Sequence, residues 1–271
     1  MWKFLPAALL AAAGAVHAAT SFSTDVTDLW WNPDESGWGV NVIQQDNVVF
    51  ATFFVYDSGG KAHWYVASEM TPTASSTSSI TFSGALFETQ GPYFGVPFNP
   101  AGVGRTQVGT ATLQFALPNS GILTYTVSGT QVTKQILRQT WAVNDLTGQY
   151  SGWRATRVIA AGGCAPTTGP ATLTSFTAIE VALSATAFSM RGVLGDGGGT
   201  CTFTGDYSQE GHLGASSGTY SCTSGLQGTY RMSEIEATLY GFFGRYIGTE
   251  RGCPIDGRLG AVRTTIRGLA E

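Results

Sequence analysis

From Gly39 to Trp141 the chain is a nearly unbroken train of short extended segments, each closed by a tight-turn signal, and this constrains the fold more than any other feature. Gly39 to Gln45, Val48 to Tyr56, Ala62 to Glu69, Ile80 to Phe87, Thr106 to Leu117, Ile122 to Val127 and Gln131 to Trp141 read as strands. Gln45-Asp46-Asn47, Asp57-Ser58-Gly59-Gly60, Asn119-Ser120-Gly121 and Ser128-Gly129 supply residues that tolerate positive φ, as hairpin loops require. Seven or so short strands joined in this way imply antiparallel pairing of neighbours, hence an up-and-down barrel or a sandwich. The segment Val48 to Tyr56 is apolar on both faces, with Val49, Ala51, Phe53 and Val55 on one and Val48, Phe50, Phe54 and Tyr56 on the other. A half-buried antiparallel strand ordinarily alternates. An internal sheet or domain contact is therefore the expected cover for the second face, ahead of an exposed partner surface.

The second half repeats a different unit. Gly148-Gln149-Tyr150, Gly205-Asp206-Tyr207, Gly218-Thr219-Tyr220, Gly228-Thr229-Tyr230 and Gly244-Arg245-Tyr246 each place an aromatic ring two residues after a glycine, a pattern that suits strongly curved strands. Thr172 to Met190 admits a helical reading, but its Thr, Phe and β-branched content favours strands. All four cysteines lie here, at Cys164, Cys201, Cys222 and Cys253. Three pairings are possible. The midpoint of 201 and 222 falls on the turn residues Gly211-His212, which favours a hairpin carrying Cys201–Cys222 and leaves Cys164–Cys253. No C-x-x-C spacing supports zinc, and no metal site is expected.

The halves also differ in charge: residues 19–145 hold four basic and nine acidic side chains, and residues 146–271 hold nine of each. With the Leu146-Thr147-Gly148 turn, this sets the expected boundaries: a signal peptide over 1–18, an N-terminal antiparallel β domain over 19–145, and a disulfide-stapled β domain over 146–271. The signal peptide is read from Lys3, the apolar run Phe4 to Val16 and the small residues up to Ala19. The run is too short to span a bilayer, and no later segment is apolar enough for a transmembrane helix. Export to the periplasm or the extracellular medium follows, in keeping with the even cysteine count. An outer-membrane barrel fits less well, given the cysteines, the irregular strand lengths and the Leu269-Ala270-Glu271 ending. The formal net charge is −4, so nucleic acid is not an expected partner.

One segment stands apart. Trp30-Trp31-Asn32-Pro33-Asp34-Glu35-Ser36-Gly37-Trp38-Gly39 sets three tryptophans around an amide and two carboxylates, and Asn-Pro followed by Ser-Gly bars a regular helix. Tryptophan faces beside carboxylates can hold a sugar, the ring stacking on C–H edges while oxygens accept from hydroxyls. The same residues could instead plug a barrel end. Trp31, Asn32, Glu35 and Trp38, with Trp64 from His63-Trp64-Tyr65, are the candidate ligand-binding set. Together with Phe50-Ala51-Thr52-x-Phe54-x-Tyr56-Asp57 and Trp64-Tyr65, the Trp31-Asn32-Pro33-x-Glu35-Ser36-Gly37-Trp38-Gly39 motif resembles a recurrent segment of largely uncharacterised exported proteins of Gram-negative bacteria. The resemblance spans about forty residues and implies a secreted β protein, with no activity attached.

Catalytic constellations are sparse. There is no G-x-S-x-G elbow, no H-E-x-x-H, no phosphate-cradling loop and no dinucleotide fingerprint, so no cofactor is expected. His63 reads as a strand residue and His212 as a hairpin tip. Paired carboxylates remain possible, either Asp34 or Glu35 with Glu69, or Glu234 with Glu236 on one strand face. The favoured reading is a non-enzymatic secreted or periplasmic binding module. Its partner would be a glycan, a small apolar molecule inside a barrel, or an envelope protein. A carbohydrate-active hydrolase using paired carboxylates and a self-associating structural envelope protein are the alternatives.

Overall fold

A computed structural model describes residues 25–265 except Thr77 and Ala185; the expected signal peptide lies outside the described residues. The chain forms two closed barrels of eight antiparallel strands. Barrel 1 comprises β1 (Asp28–Trp31), β2 (Gly39–Gln45), β3 (Val48–Tyr56), β4 (Ala62–Ser75), β5 (Ser79–Gln90), β6 (Gly104–Ala116), β7 (Ser120–Val127) and β8 (Thr130–Arg138). Barrel 2 comprises β9 (Gly148–Val158), β10 (Thr172–Leu183), β11 (Ala187–Leu194), β12 (Thr200–Glu210), β13 (Leu213–Cys222), β14 (Gln227–Thr238), β15 (Gly241–Glu250) and β16 (Cys253–Arg263). Each strand pairs with its sequence neighbours, and the first and last close the ring through β1–β8 and β9–β16. The choice between barrel and sandwich is thereby made. The eighth strand of barrel 1, absent from the sequence reading, is Asp28–Trp31, the start of the tryptophan segment.

An eight-stranded barrel encloses a lumen just wide enough for side chains to fill. In barrel 1, Trp30, Phe53, Phe82 and Phe115 fill it, with Trp30 and Phe82 each packed against Phe115 at ring separations of 4.6 and 6.2 Å. The inward residues of β3 are Val49, Ala51 and Phe53, as alternation requires. Its outward face does not have the internal cover expected of it. Phe50, Phe54 and Tyr56 are exposed, beside Ile43 on β2 and Trp64 on β4.

Barrel 2 fills its lumen with tyrosines. Tyr150, Tyr207, Tyr220, Tyr230 and Tyr246 of the repeated units are all buried. The glycines make their space: a Cβ on Gly228 would lie 2.9 Å from the ring of Tyr220, its partner across β13–β14, and one on Gly205 would lie 2.8 Å from the Tyr230 hydroxyl. Glycine paired with a cross-strand aromatic lets the sheet curve without leaving a gap. Cys201 and Cys222 sit opposite each other on β12 and β13 and are bonded, and Cys164 is bonded to Cys253.

The β1/β8 end of barrel 1 meets the β12–β13 turn of barrel 2. His212 Nδ1 lies 2.7 Å from Asp28 Oδ2, and the His212 amide donates to the same oxygen at 3.2 Å. Arg138, its side chain wholly buried, donates to Asp28 at 2.5 Å and stacks on Trp30 with its guanidinium 4.8 Å from the ring centroid. Gly211 donates to Thr140, and Asn144 donates to the His212 carbonyl. By strand direction, the free end of barrel 1 carries the 32–38 segment, the β3–β4 hairpin and the 91–103 loop, whereas that of barrel 2 carries the β13–β14 and β15–β16 turns.

Candidate functional site

The free end of barrel 1 gathers the residues singled out by sequence. After β1, Pro33–Glu35 form one 3-10 turn, capped by Asn32, whose Oδ1 accepts from the Asp34 amide at 2.9 Å. This turn lays Glu35 against Lys134, which shares the inward face of β8 with buried Ile136 and Arg138. Lys134 Nζ lies 2.7 Å from Glu35 Oε2, and Trp38 Nε1–H donates to the same oxygen at 3.1 Å. The Lys134 hydrogen bond, seconded by that of Trp38, lowers the Glu35 pKa below its ordinary value. Trp38, like Tyr65 and Tyr125, packs on the barrel core. At the same end His63 Nε2 lies 3.5 Å from Glu88 and its ring meets Tyr65 edge-on at 4.7 Å.

Asn32, Glu35 and Trp38 are thus brought together with Lys134, whose part the sequence did not reveal. Trp31 is the last residue of β1, half-buried and paired with Leu137. Trp64 stands on the outer face of β4 opposite Phe54 and lines a shallow groove of about 330 Å³ with Gly37, Phe54, Tyr56 and His63. Gly37 joins the two parts: it precedes Trp38 and lines the groove with Tyr56, whose ring a Cβ at Gly37 would meet at 3.9 Å.

The proposed carboxylate pairs fare differently. Glu69 is an exposed outward residue in the middle of β4, while Glu35 lies over the barrel end in its ion pair. Glu234 and Glu236 lose their common face to a bulge: the pairing jumps from Ser233–Arg245 to Glu236–Phe243, and Glu234 takes a φ of 53°. Glu234 lies 3.7 Å from Arg245. No group of three or more His, Cys, Asp and Glu side chains is placed to hold a metal among the described residues. No helix among them is long and apolar enough to cross a membrane.

The sequence reading passed over Arg154. It lies on the inward face of β9, in step with Tyr150 and Thr156, and its side chain is only 7 % exposed. Its guanidinium packs over the Tyr246 ring at 5.0 Å, and donates to the Tyr246 hydroxyl at 3.2 Å and to Glu250 Oε2 at 2.7 Å. It borders a cleft of about 680 Å³ in the free mouth of barrel 2. Its one sequence signal was a charge in phase with an otherwise aromatic and small inward stripe.

No protein-family model matches the chain, and no curated protein matches it significantly. Among solved structures it is similar to a protein of unknown function of the DUF3598 family from Nostoc punctiforme PCC 73102. The identity is 11 %, over 89 % of this chain and 94 % of that one, with a TM-score of 0.24. At that score the likeness adds nothing to the barrel assignment, which rests on the strand pairing itself.

Proposed function

We propose that the chain is an exported binding module that holds a glycan at the free end of barrel 1. The observation that carries this reading is the groove in which Phe54, Tyr56 and Trp64 stand exposed on adjacent strands, joined through Gly37 to the Glu35–Lys134 pair. Exposed aromatic faces suit the C–H faces of a sugar, and a carboxylate beside an ammonium offers an acceptor and donors to its hydroxyls. An apolar ligand inside barrel 1 finds no room, because Trp30, Phe53, Phe82 and Phe115 occupy the lumen. Hydrolysis fits less well: Glu35 is held ionised by Lys134, whereas a general acid needs a raised pKa and a second carboxylate across the same cleft. The test is intrinsic tryptophan fluorescence titrated with neutral oligosaccharides, wild type beside Trp64→Ala and Glu35→Gln. A saturable change weakened about tenfold or more in Trp64→Ala, with unchanged circular dichroism, is expected. No saturable change in the wild type up to about 10 mM would refute it.

A second reading has its own observation. The outer stripe of Ile43, Phe50, Phe54 and Trp64 is uncovered by any other part of the described chain, which favours self-association through β2–β4. Sedimentation velocity separates the two: a concentration-dependent dimer abolished by Phe50→Asp supports it, and a strict monomer at about 100 μM removes it.

A further inference from the structure

The mouth of barrel 2 has the makings of a second, independent site. Its cleft of about 680 Å³ lies within the size range of small-molecule pockets, and barrel mouths are a favoured place for them. Phe176, Leu194, Phe203 and Leu226 give it apolar walls. At its edge lies Arg154, a cation with almost no contact with water. A buried guanidinium needs its donors satisfied. Here Glu250 accepts from one nitrogen, Nη2, the Tyr246 hydroxyl accepts from Nη1, and Nε has no acceptor among the described residues. Glu250 ends β15, with its side chain 31 % exposed, so it can turn out into water where Arg154 cannot. On the rim, Asp196 and Arg251 offset each other and leave no net charge to select a ligand. Cys201–Cys222 ties β12 to β13 in the cleft wall, and Cys164–Cys253 ties the β9–β10 loop to β16 beside it, so the mouth is held open before any ligand arrives.

We propose that this mouth binds a small organic carboxylate, its head group on Arg154 and its apolar body between Phe176 and Phe203. Arginine recognises carboxylates through paired N–H groups, and one monodentate partner that is half free to leave is what an incoming carboxylate can displace. Glu250 is then a competitor for the same guanidinium. That sets the sign of a substitution that a purely structural ion pair would not share.

The experiment is isothermal titration of the folded two-barrel protein with phenylacetate and with its neutral isostere phenylacetamide. Wild type is expected to bind phenylacetate with a Kd below about 10 mM and phenylacetamide at least about tenfold more weakly. Glu250→Gln removes the competitor and is expected to tighten phenylacetate about tenfold, while Arg154→Lys weakens it by a similar factor. Amide shifts at Gly198, Gly225 and Gly252 on titration would place the ligand in this mouth. Should Arg154→Lys fail to fold, the Glu250→Gln comparison still decides. The proposal is overturned if neither wild type nor Glu250→Gln saturates with phenylacetate. It is equally overturned if phenylacetamide binds as tightly, or if Glu250→Gln leaves the affinity unchanged or weaker. None of these outcomes bears on the groove of barrel 1.

Discussion

The two barrels share strand number, strand order and closure, yet each fills its lumen by different means. Barrel 1 contains no cysteine and is packed from end to end, with Trp30, Phe53, Met70 and Phe82 at 0 % exposure and the Glu35–Lys134 pair drawn across its free end. Barrel 2 builds its core from tyrosines set against glycines, holds its buried arginine, Arg154, beside the free mouth where barrel 1 holds Arg138 at the join, and leaves that mouth open. One disulfide ties β12 to β13 at that mouth, and the other ties the β9–β10 loop to β16. A lumen that stops short of the barrel end forgoes apolar burial there, and covalent links restore the stability that packing does not provide. The two proposed sites follow this difference: the one on barrel 1 lies on its outer surface beside a sealed end, and the one on barrel 2 lies in the open end itself.

This contrast is broken most directly at the disulfides. Cys164 and Cys253 are 89 residues apart in sequence, and linking so long a loop contributes about 4–5 kcal/mol on the chain-entropy account. Cys164→Ala/Cys253→Ala is expected to separate a single denaturation transition into two, with barrel 2 unfolding first and the tryptophans of barrel 1 reporting the later step. A common, barely shifted transition would mean that barrel 2 does not depend on its staples. The converse substitution is Phe115→Ala in barrel 1. Phe115 packs against Trp30 and Phe82 in a sealed core, so the cost is about 3–5 kcal/mol. Phe203→Ala, beside the open cleft of barrel 2, should fall at the lower end of that range or below it. Equal losses in urea denaturation would show that the open mouth does not loosen the core beneath it.

Much of the division into strands was legible, because turn residues such as Asp57-Ser58-Gly59-Gly60 and Gly211-His212 mark hairpins locally. The register of Cys201 with Cys222 followed from the same arithmetic. Closure was not legible. The β1–β8 contact joins Trp30 to Arg138, and nothing local to Asp28–Trp31 announces a four-residue strand. For the same reason nothing in the sequence separated Trp30, which is fully buried, from Trp31 and Trp38 beside it. The contact of Asp28 with His212 spans 184 residues and turns an apparently ordinary hairpin histidine into the join between barrels. Arg154 was missed because the second half was read through its Gly-x-aromatic units, of which Gly152-Trp153-Arg154 is not one, and a lone arginine carries no local mark of burial.

High pH sharpens the comparison at the next level of effect. Burial raises the pKa of Tyr207 and Tyr246 to about 12 from an ordinary 10.0, and raises Tyr220 and Tyr230 in the same direction. The unfolded chain then releases protons that the folded barrel retains. The stabilisation is complete below pH 10 and is lost as pH rises towards 12. For Tyr246 alone this is about 3 kcal/mol. Barrel 1 has only Tyr65 and Tyr125 raised in this way. Barrel 2 is therefore expected to unfold first in alkali, with tyrosinate absorbance at 295 nm rising together with its unfolding. Simultaneous loss of both barrels would show that the Asp28–His212–Arg138 join couples them more strongly than their cores differ.

The smallest effect lies at the closed end of barrel 1. Glu35 is held below its ordinary pKa of 4.5 by Lys134 and the Trp38 indole, so its contribution is present above that value and is lost as pH falls through the lowered one. The pair is solvent-exposed, so little global stability should change. What changes is local. Protonation frees Lys134 and weakens the hydrogen bond to Trp38 Nε1, so tryptophan emission should titrate below pH 4.5 while far-ultraviolet circular dichroism stays constant. Glu35→Gln should remove that titration, and Lys134→Met should move it upward, because the largest cause of the lowering has gone. If the wild-type signal instead follows global unfolding, Glu35 is part of what keeps barrel 1 shut. The free ends of the two barrels would then differ in sealing as well as in filling.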